Sequence, residues 1–213
     1  EITTTIGGNV DGGNVYGGGA LSDVSGDDGE GNITSHVSVN VNSGSMVNVF
    51  GGGKGESTVV RGNVVVNIGA KDNGGALSGT GSITGDVYGG SAFGAVNAAS
   101  TKNAAGEVTD YTASEGKTTL VNIYGGAVTG SVFGGGLGQT TPSVIAAQNF
   151  GNTTINMEGG TVSTAIYGGA NTNGVLKLEA TLNITGGTVG TVVNAGDAPC
   201  DAVFGGGYGE PTL

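Results

Sequence analysis

The chain has 213 residues, of which 48 are glycine, three are proline and only 11% are charged, and its net charge is −11. A helical bundle is excluded because each interior glycine costs about 1 kcal/mol in a helix, and collagen is excluded because glycine shows no period of three and proline is scarce. The acidic balance disfavours nucleic acid, which is bound by clustered lysine and arginine, and no stretch approaches the ~20 apolar residues of a membrane span.

A unit made of a β-branched residue, an aromatic residue and two glycines recurs six times along the chain. Its aromatic positions are, in order, Tyr16, Phe50, Tyr88, Phe133, Tyr167 and Phe204. The spacings between them are 34, 38, 45, 34 and 37 residues. Such spacings are typical of solenoid repeats that carry insertions of variable length.

A second unit, an apolar–Asn–apolar strand, lies upstream of most of these aromatic anchors. It is followed by Gly-Gly at 121–126, 155–160 and 182–187, and weaker versions occur at 39–42 and 66–69. Because Asn122, Asn156 and Asn183 occupy the same site in successive repeats, we expect their side chains to form a ladder, as in other stacked β structures.

These strands are too short for an ordinary sandwich and are typical of a chain wound in coils. One coil cannot bury its valine and isoleucine alone, whereas coils stacked at about 4.8 Å bury a continuous core and satisfy each other's backbone hydrogen bonds. We therefore predict an all-β fold, a parallel β-solenoid of about six glycine-rich repeats. It forms a single domain over residues 1–213 and is right-handed by the crossover rule.

The alternative fold is an antiparallel sandwich or barrel, which would place two-residue turns between paired strands. The sequence contains Asn73-Gly74, Asn173-Gly174 and Asp28-Gly29. We expect all three pairs to lie in polar insertions and not between paired strands, so the solenoid is favoured.

Segments of variable length and no clear pattern follow the aromatic anchors and carry most of the charge. Such segments are either a binding surface on one face of the solenoid or solvated connections without a role. They are Ala20–His36, Lys54–Gly62, Ala95–Lys117, Leu137–Gly151 and Asn171–Ala180.

The aromatic row has two possible orientations. Each aromatic follows a valine or isoleucine, and alternate side chains of a strand face opposite sides. If the β-branched residue points inward, the ring lies outside the core, in a stacked row that a partner or a glycan could contact. Alternatively, a bend at the first glycine turns the rings inward, or the loops cover them.

The sequence offers no set of catalytic residues, so we predict that the chain is not an enzyme. His36 is the single histidine and Arg61 the single arginine, and a triad needs more than one such group. Many polysaccharide-cleaving β-helices need paired carboxylates, and some need a catalytic lysine or arginine on the sheet face. Here the carboxylates Asp86 and Glu158 belong to different coils. An ice-binding face would need repeated Thr-x-Thr ladders, of which only 3–5 and scattered pairs are present.

One acidic segment spaces its oxygen ligands as calcium loops do. Its candidate ligands are Asp23, Ser25, Asp27, Asp28 and Glu30. It lacks glycine at the sixth place and has Thr34 where calcium loops have glutamate, so a solvated acidic loop is the alternative. No other cofactor is expected, because the glycine-rich turns are not followed by the Gly-Lys-Ser/Thr of phosphate loops.

The repeated Val-Tyr/Phe-Gly-Gly and Val-Asn-Ile-x-Gly-Gly units resemble glycine-rich repeats of very large surface proteins of Gram-negative anaerobes. In broader form they are similar to the passenger β-helices of autotransporter-type adhesins and filamentous haemagglutinins. The resemblance spans nearly the whole chain and implies secretion, display at the cell surface, and adhesion to glycans or proteins or formation of fibres. It supplies no catalytic residue. The alternative is a carbohydrate-active or phage-tailspike-like β-helix that binds or cleaves polysaccharide.

The ends of the chain lack an obvious polar cap. The chain starts at Glu1 without methionine or a signal-peptide pattern, so we expect a processed protein or part of a longer one. Uncapped solenoid ends expose strand edges that pair with something else. We therefore expect the chain to join further repeats or further copies of itself end to end.

Overall fold

A computed structural model describes residues 1–190 and 202–209, and this part of the chain contains β-strands and no helix. The chain winds through six coils, and equivalent strands of successive coils pair side by side in parallel. The strands build four parallel sheets that run along the solenoid. The predicted fold class, a parallel β-solenoid, is confirmed.

The first sheet contains the longest strands of each coil. They are Ile2–Ile6, Val37–Val41, Val64–Ile68, Thr118–Ile123, Asn152–Met157 and Ala180–Ile184. The strands are in register, so that Val39 lies beside Val66, which lies beside Val121. Within one strand Val37, Val39 and Val41 are buried. The period-two pattern of these strands therefore forms the wall of the core.

The other three parallel sheets consist of short strands. The second sheet contains Ser45–Met46, Ser82–Ile83, Ala127–Val128, Thr161–Val162 and Thr188–Val189. The third sheet contains Val15–Tyr16, Val49–Phe50, Val87–Tyr88, Val132–Phe133, Ile166–Tyr167 and Val203–Phe204. The fourth sheet contains Val59–Val60, Ala95–Val96, Ala147–Asn149 and Gly174–Leu176. Single bridges from Asp11 to Ser45 and from Val24 to Val60 bring the first coil into the second and fourth sheets.

Glycine makes the corner between the first and second sheets. Three of the apolar–Asn–apolar strands are followed by a Gly-Gly pair. The second glycine of these pairs is Gly126, Gly160 and Gly187, with φ of +78°, +76° and +87° respectively. Side chains with a Cβ rarely adopt this backbone conformation. The repeated Gly-Gly is therefore explained by a sharp turn at the same place in successive coils.

One hydrophobic core runs through the middle of the solenoid. It consists mainly of valine and isoleucine from the first three sheets, with Met46 and Met157 among them. Fully buried examples are Ile68, Ile83, Ile123, Ile155 and Ile166. Since neighbouring coils contribute equivalent residues to this core, each coil is stabilised by burial against the next.

Two of the insertions fold into antiparallel hairpins. The long hairpin, Ala98–Lys102 paired with Val108–Ala113, occupies the longest predicted insertion. The short hairpin pairs Ala70–Lys71 with Leu77–Ser78 and has Asn73-Gly74 in its turn. The expectation that this Asn-Gly pair does not lie between paired strands is wrong, although the hairpin is, as expected, an insertion.

Candidate functional site

The six predicted aromatic residues form one continuous stack along the third sheet, which we call the aromatic column. Neighbouring ring centroids are 4.6–5.1 Å apart and the ring planes are within 8° of parallel. The column consists of Tyr16, Phe50, Tyr88, Phe133, Tyr167 and Phe204, so tyrosine and phenylalanine alternate. The spacing matches the separation of neighbouring parallel strands, and in-register pairing therefore explains the stack.

The column lies outside the main core but is not exposed along its length. Val49 and Val87 belong to the main core, whereas Phe50 and Tyr88 belong to a separate cluster with Ala92 and other residues of the following segments. Phe50, Tyr88, Phe133 and Tyr167 are buried, and only the end rings Tyr16 and Phe204 are partly exposed. The rings thus lie outside the main core, with the β-branched residues pointing inward, and the following segments cover most of the row.

Tyr88 makes two side-chain hydrogen bonds from within the aromatic column. Its hydroxyl donates to the Asp86 carboxylate at 2.9 Å and accepts a hydrogen bond from the Asn171 side chain at 2.9 Å. Burial, and then the nearby charge of Asp86, raises the pKa of Tyr88 well above its ordinary value of 10.0. The buried hydroxyl therefore stays protonated under alkaline conditions in which an exposed tyrosine ionises.

We expect stability to fall steeply above about pH 10, because the unfolded chain then loses the Tyr88 proton while the folded chain keeps it. Below that pH both states are protonated and the contribution of Tyr88 is constant. The expected loss is up to about 1.4 kcal/mol per pH unit. Urea unfolding between about pH 9 and about pH 11 measures it, and Tyr88→Phe should show a shallower decline than the wild type.

Equal slopes for the wild type and Tyr88→Phe would contradict the assignment to Tyr88.

The asparagine residues of the first sheet form a second continuous row, the asparagine ladder. After the first member, each side-chain Nδ2 donates to the asparagine Oδ1 of the preceding coil at 2.7–3.0 Å. The ladder contains the predicted Asn122, Asn156 and Asn183 and two further members, Asn40 and Asn67. These two belong to the weaker versions of the unit, so the signal that would have found them was already in the sequence.

Asn122→Ala should lower the free energy of unfolding by about 1–3 kcal/mol, because the buried Asn122 both donates to Asn67 and accepts from Asn156. Asn183→Ala, at the exposed end of the ladder, loses one described bond and should cost less. Thermal or urea unfolding of the two variants tests this. An equal cost at both sites would show that the middle of the ladder has no special role.

The proposed calcium ligands are not brought together as a binding site. The Asp23 carboxylate lies 2.9 Å from the Lys102 ammonium, and Asp27 lies 3.2 Å from Arg61. The side chain of Asn32 donates to Asp28 and lowers its pKa. Ser25 and Glu30 are exposed. Over residues 1–190 and 202–209, no three His, Cys, Asp or Glu residues are grouped so that they could hold a metal ion.

The other polar residues considered for catalysis make structural contacts. His36 accepts a hydrogen bond at Nδ1 from the backbone N–H of Asn63, at 3.0 Å. Asp86 accepts the backbone N–H of Ser131 in addition to the Tyr88 hydroxyl. Glu158 forms an ion pair with Lys71 and raises its pKa. The structure therefore does not combine these groups into one site.

A groove of about 580 Å³, the main groove, opens beside the long hairpin. One wall is formed by Glu56 and Ser57, a second by Tyr111 and residues 105–108 of the hairpin, and a third by residues 144–146 and Gln148. A smaller groove of about 300 Å³, the minor groove, shares Tyr111 with the main groove and includes Phe150 and Lys177.

These grooves are not predicted by any repeat or motif of the sequence. Tyr111, an aromatic residue in the middle of the longest polar insertion, was the available signal.

No protein-family model, no curated protein and no solved structure matches this chain. The part of the chain that the structure describes has no helix long and apolar enough to cross a membrane.

Proposed function

We propose that the chain is a structural and adhesive β-solenoid segment of an extracellular bacterial surface protein or fibre. In this role it has no enzymatic activity of its own and joins further coils or further copies end to end. The observation that carries the proposal is the pair of uninterrupted side-chain rows, the aromatic column and the asparagine ladder, which pass through successive coils. Both rows are built for stacking along one axis.

The strand edges at the two ends of the first sheet support end-to-end joining. Ile2–Ile6 pairs only with Val37–Val41, and Ala180–Ile184 pairs only with Asn152–Met157, within the described part of the chain. Ile2 and Ile184 at these edges are about 40% exposed. Open edges of this kind are templates for pairing with another strand. A contact between unlike ends is heterologous, and it propagates as a filament unless it closes into a ring.

Sedimentation at increasing protein concentration tests the joining, with a proline variant at the open edge. The Ile2 N–H donates to the second coil at His36. Since alternate N–H groups of a parallel strand point to opposite neighbours, the Thr3 N–H points to the open edge. Thr3→Pro should remove this donor and reduce assembly, whereas Thr3→Ser should assemble like the wild type. Wild-type protein that stays monomeric throughout, or Thr3→Pro protein that assembles normally, would overturn the joining.

The surface location and the adhesive role rest on the resemblance to glycine-rich surface repeats and on the acidic charge. A net charge of −11 opposes sideways clumping of copies. The insertions extend from the coils as hairpins and loops, where a partner can reach them. Labelling of intact cells of the source organism with an antibody against this segment tests the location, and staining only after lysis would contradict it.

The absence of enzymatic activity needs a separate test. Incubation with acidic and neutral polysaccharides, followed by measurement of new reducing ends, should show no turnover above a heat-denatured control. Robust depolymerisation would overturn this part of the proposal and favour a polysaccharide-cleaving β-helix.

A further inference from the structure

The walls of the main groove combine an aromatic ring with polar groups that have no partner. Tyr111 is half-buried, and its hydroxyl makes no hydrogen bond within residues 1–190 and 202–209. The same is true of the Gln148 side-chain amide and of the Glu56 carboxylate. Three different polar groups thus face one groove without being satisfied by the protein itself.

The charge in the main groove is negative. Its lining includes the carboxylates of Glu56 and Glu107 and contains no lysine, arginine or histidine. Asn103 donates to Glu107, which is a neutral contact and leaves its charge in place. Burial, and then the charges of Glu56 and Asp23, raise the pKa of Tyr111. The two carboxylates of the lining therefore attract a cation into the main groove.

The protein already holds a lysine against one ring of the aromatic pair Tyr111 and Phe150. Tyr111 packs on Phe150 with ring centroids 5.6 Å apart. The Lys177 ammonium lies over the Phe150 ring, 5.6 Å from its centroid, in the minor groove. This distance is within the range of cation–π contacts. The minor groove thus shows that this aromatic pair packs against the ammonium group of a lysine.

We propose that the main groove binds a lysine side chain presented by an extended basic peptide of a partner protein. The ammonium group lies between Glu56 and Glu107, the alkyl stem packs on Tyr111, and Gln148 hydrogen-bonds the peptide. The volume of about 580 Å³ is within the usual size of ligand sites. The proposal gives a partner chemistry to the adhesive part of the proposed function and rests on that part, and it does not depend on end-to-end joining.

Backbone amide NMR of the ¹⁵N-labelled protein tests the proposal directly. The probe is the blocked peptide acetyl-Gly-Gly-Lys-Gly-Gly-amide, and its control is the same peptide with Nε-acetyl-lysine, which keeps the stem but removes the charge. The lysine peptide should shift signals of residues around Tyr111 and Gln148, and the acetylated peptide should bind more weakly. Binding should also weaken with added salt. No shift, shifts elsewhere on the protein, or equal binding of the two peptides would overturn the proposal.

Two matched variants separate the groove from general acidity. Glu56→Gln should weaken binding of the lysine peptide about fivefold. Glu115→Gln removes the same charge from an exposed site outside the groove and should leave binding unchanged. If the two variants weakened binding of the lysine peptide equally, the assignment of the binding site to the main groove would be wrong. Tighter binding of a glucosamine oligomer than of the peptide, lost in Glu56→Gln, would overturn the lysine assignment in favour of an amino sugar.

Discussion

Gly89→Ala is expected to lower the free energy of unfolding by about 3 kcal/mol, the upper end of the usual cost of overpacking. A Cβ at this position would lie 2.4 Å from the carbonyl oxygen of Gly134 in the next coil and 2.6 Å from Cγ2 of Thr119. Atoms do not approach a Cβ this closely, and the first obstacle is backbone, which cannot rotate away. The variant must therefore push two neighbouring coils apart. Urea unfolding at a fixed temperature measures the loss.

The control is Gly13→Ala, in the first coil. A Cβ on Gly13 meets nothing within 4 Å, and its φ is outside the left-handed region. This variant should change the free energy of unfolding by no more than about 0.5 kcal/mol. If the two alanine variants were equally stable, the close stacking of glycine backbones along the third sheet would be wrong.

Ile166→Ala is expected to cost about 2–5 kcal/mol, because it removes a fully buried side chain from the main core and leaves a cavity between coils. Its strand pairs with Val132 on one side and Val203 on the other, so neighbouring backbones limit how far the site can collapse. Ile166→Val should cost only about 0.5–1.5 kcal/mol. Calorimetric or urea unfolding distinguishes these values.

Val144→Ala provides the comparison for this core truncation. Val144 lies in an insertion and is 75% exposed, so the variant should stay within about 0.5 kcal/mol of the wild type. A larger loss for Val144→Ala than for Ile166→Ala would show that the insertions, and not the stacked core, hold the fold together.

The fold could be predicted from the sequence because its signal is repeated. A single Val-Phe-Gly-Gly is ambiguous, but six such units at similar spacing require one structure that accepts all of them. The same repetition predicted the positions of Asn122 and Asn156 in a row. Period-two alternation left the orientation of the rings open; in the structure Val49 lies in the main core and Phe50 lies outside it.

The sequence left open whether loops cover the aromatic column, and it did not predict the main groove, because both depend on segments that occur once. Ala92 covers part of the column from a segment without a repeat signal. The groove depends on how the long hairpin, Ala98–Lys102 with Val108–Ala113, lies against residues 144–146. Contacts between unique segments are set by tertiary packing, which leaves no period in the sequence. The ion pair between Asp23 and Lys102 could not be predicted for the same reason, because the two residues are 79 positions apart in the sequence.

Cryo-electron microscopy of the purified protein at high concentration tests the proposed end-to-end structural role most directly. We expect filaments as wide as one solenoid, with a repeat of about 4.8 Å along the filament axis. In this arrangement the aromatic column and the asparagine ladder continue from one copy into the next. Strictly monomeric particles, or filaments whose 4.8 Å repeat runs across the axis, would contradict it.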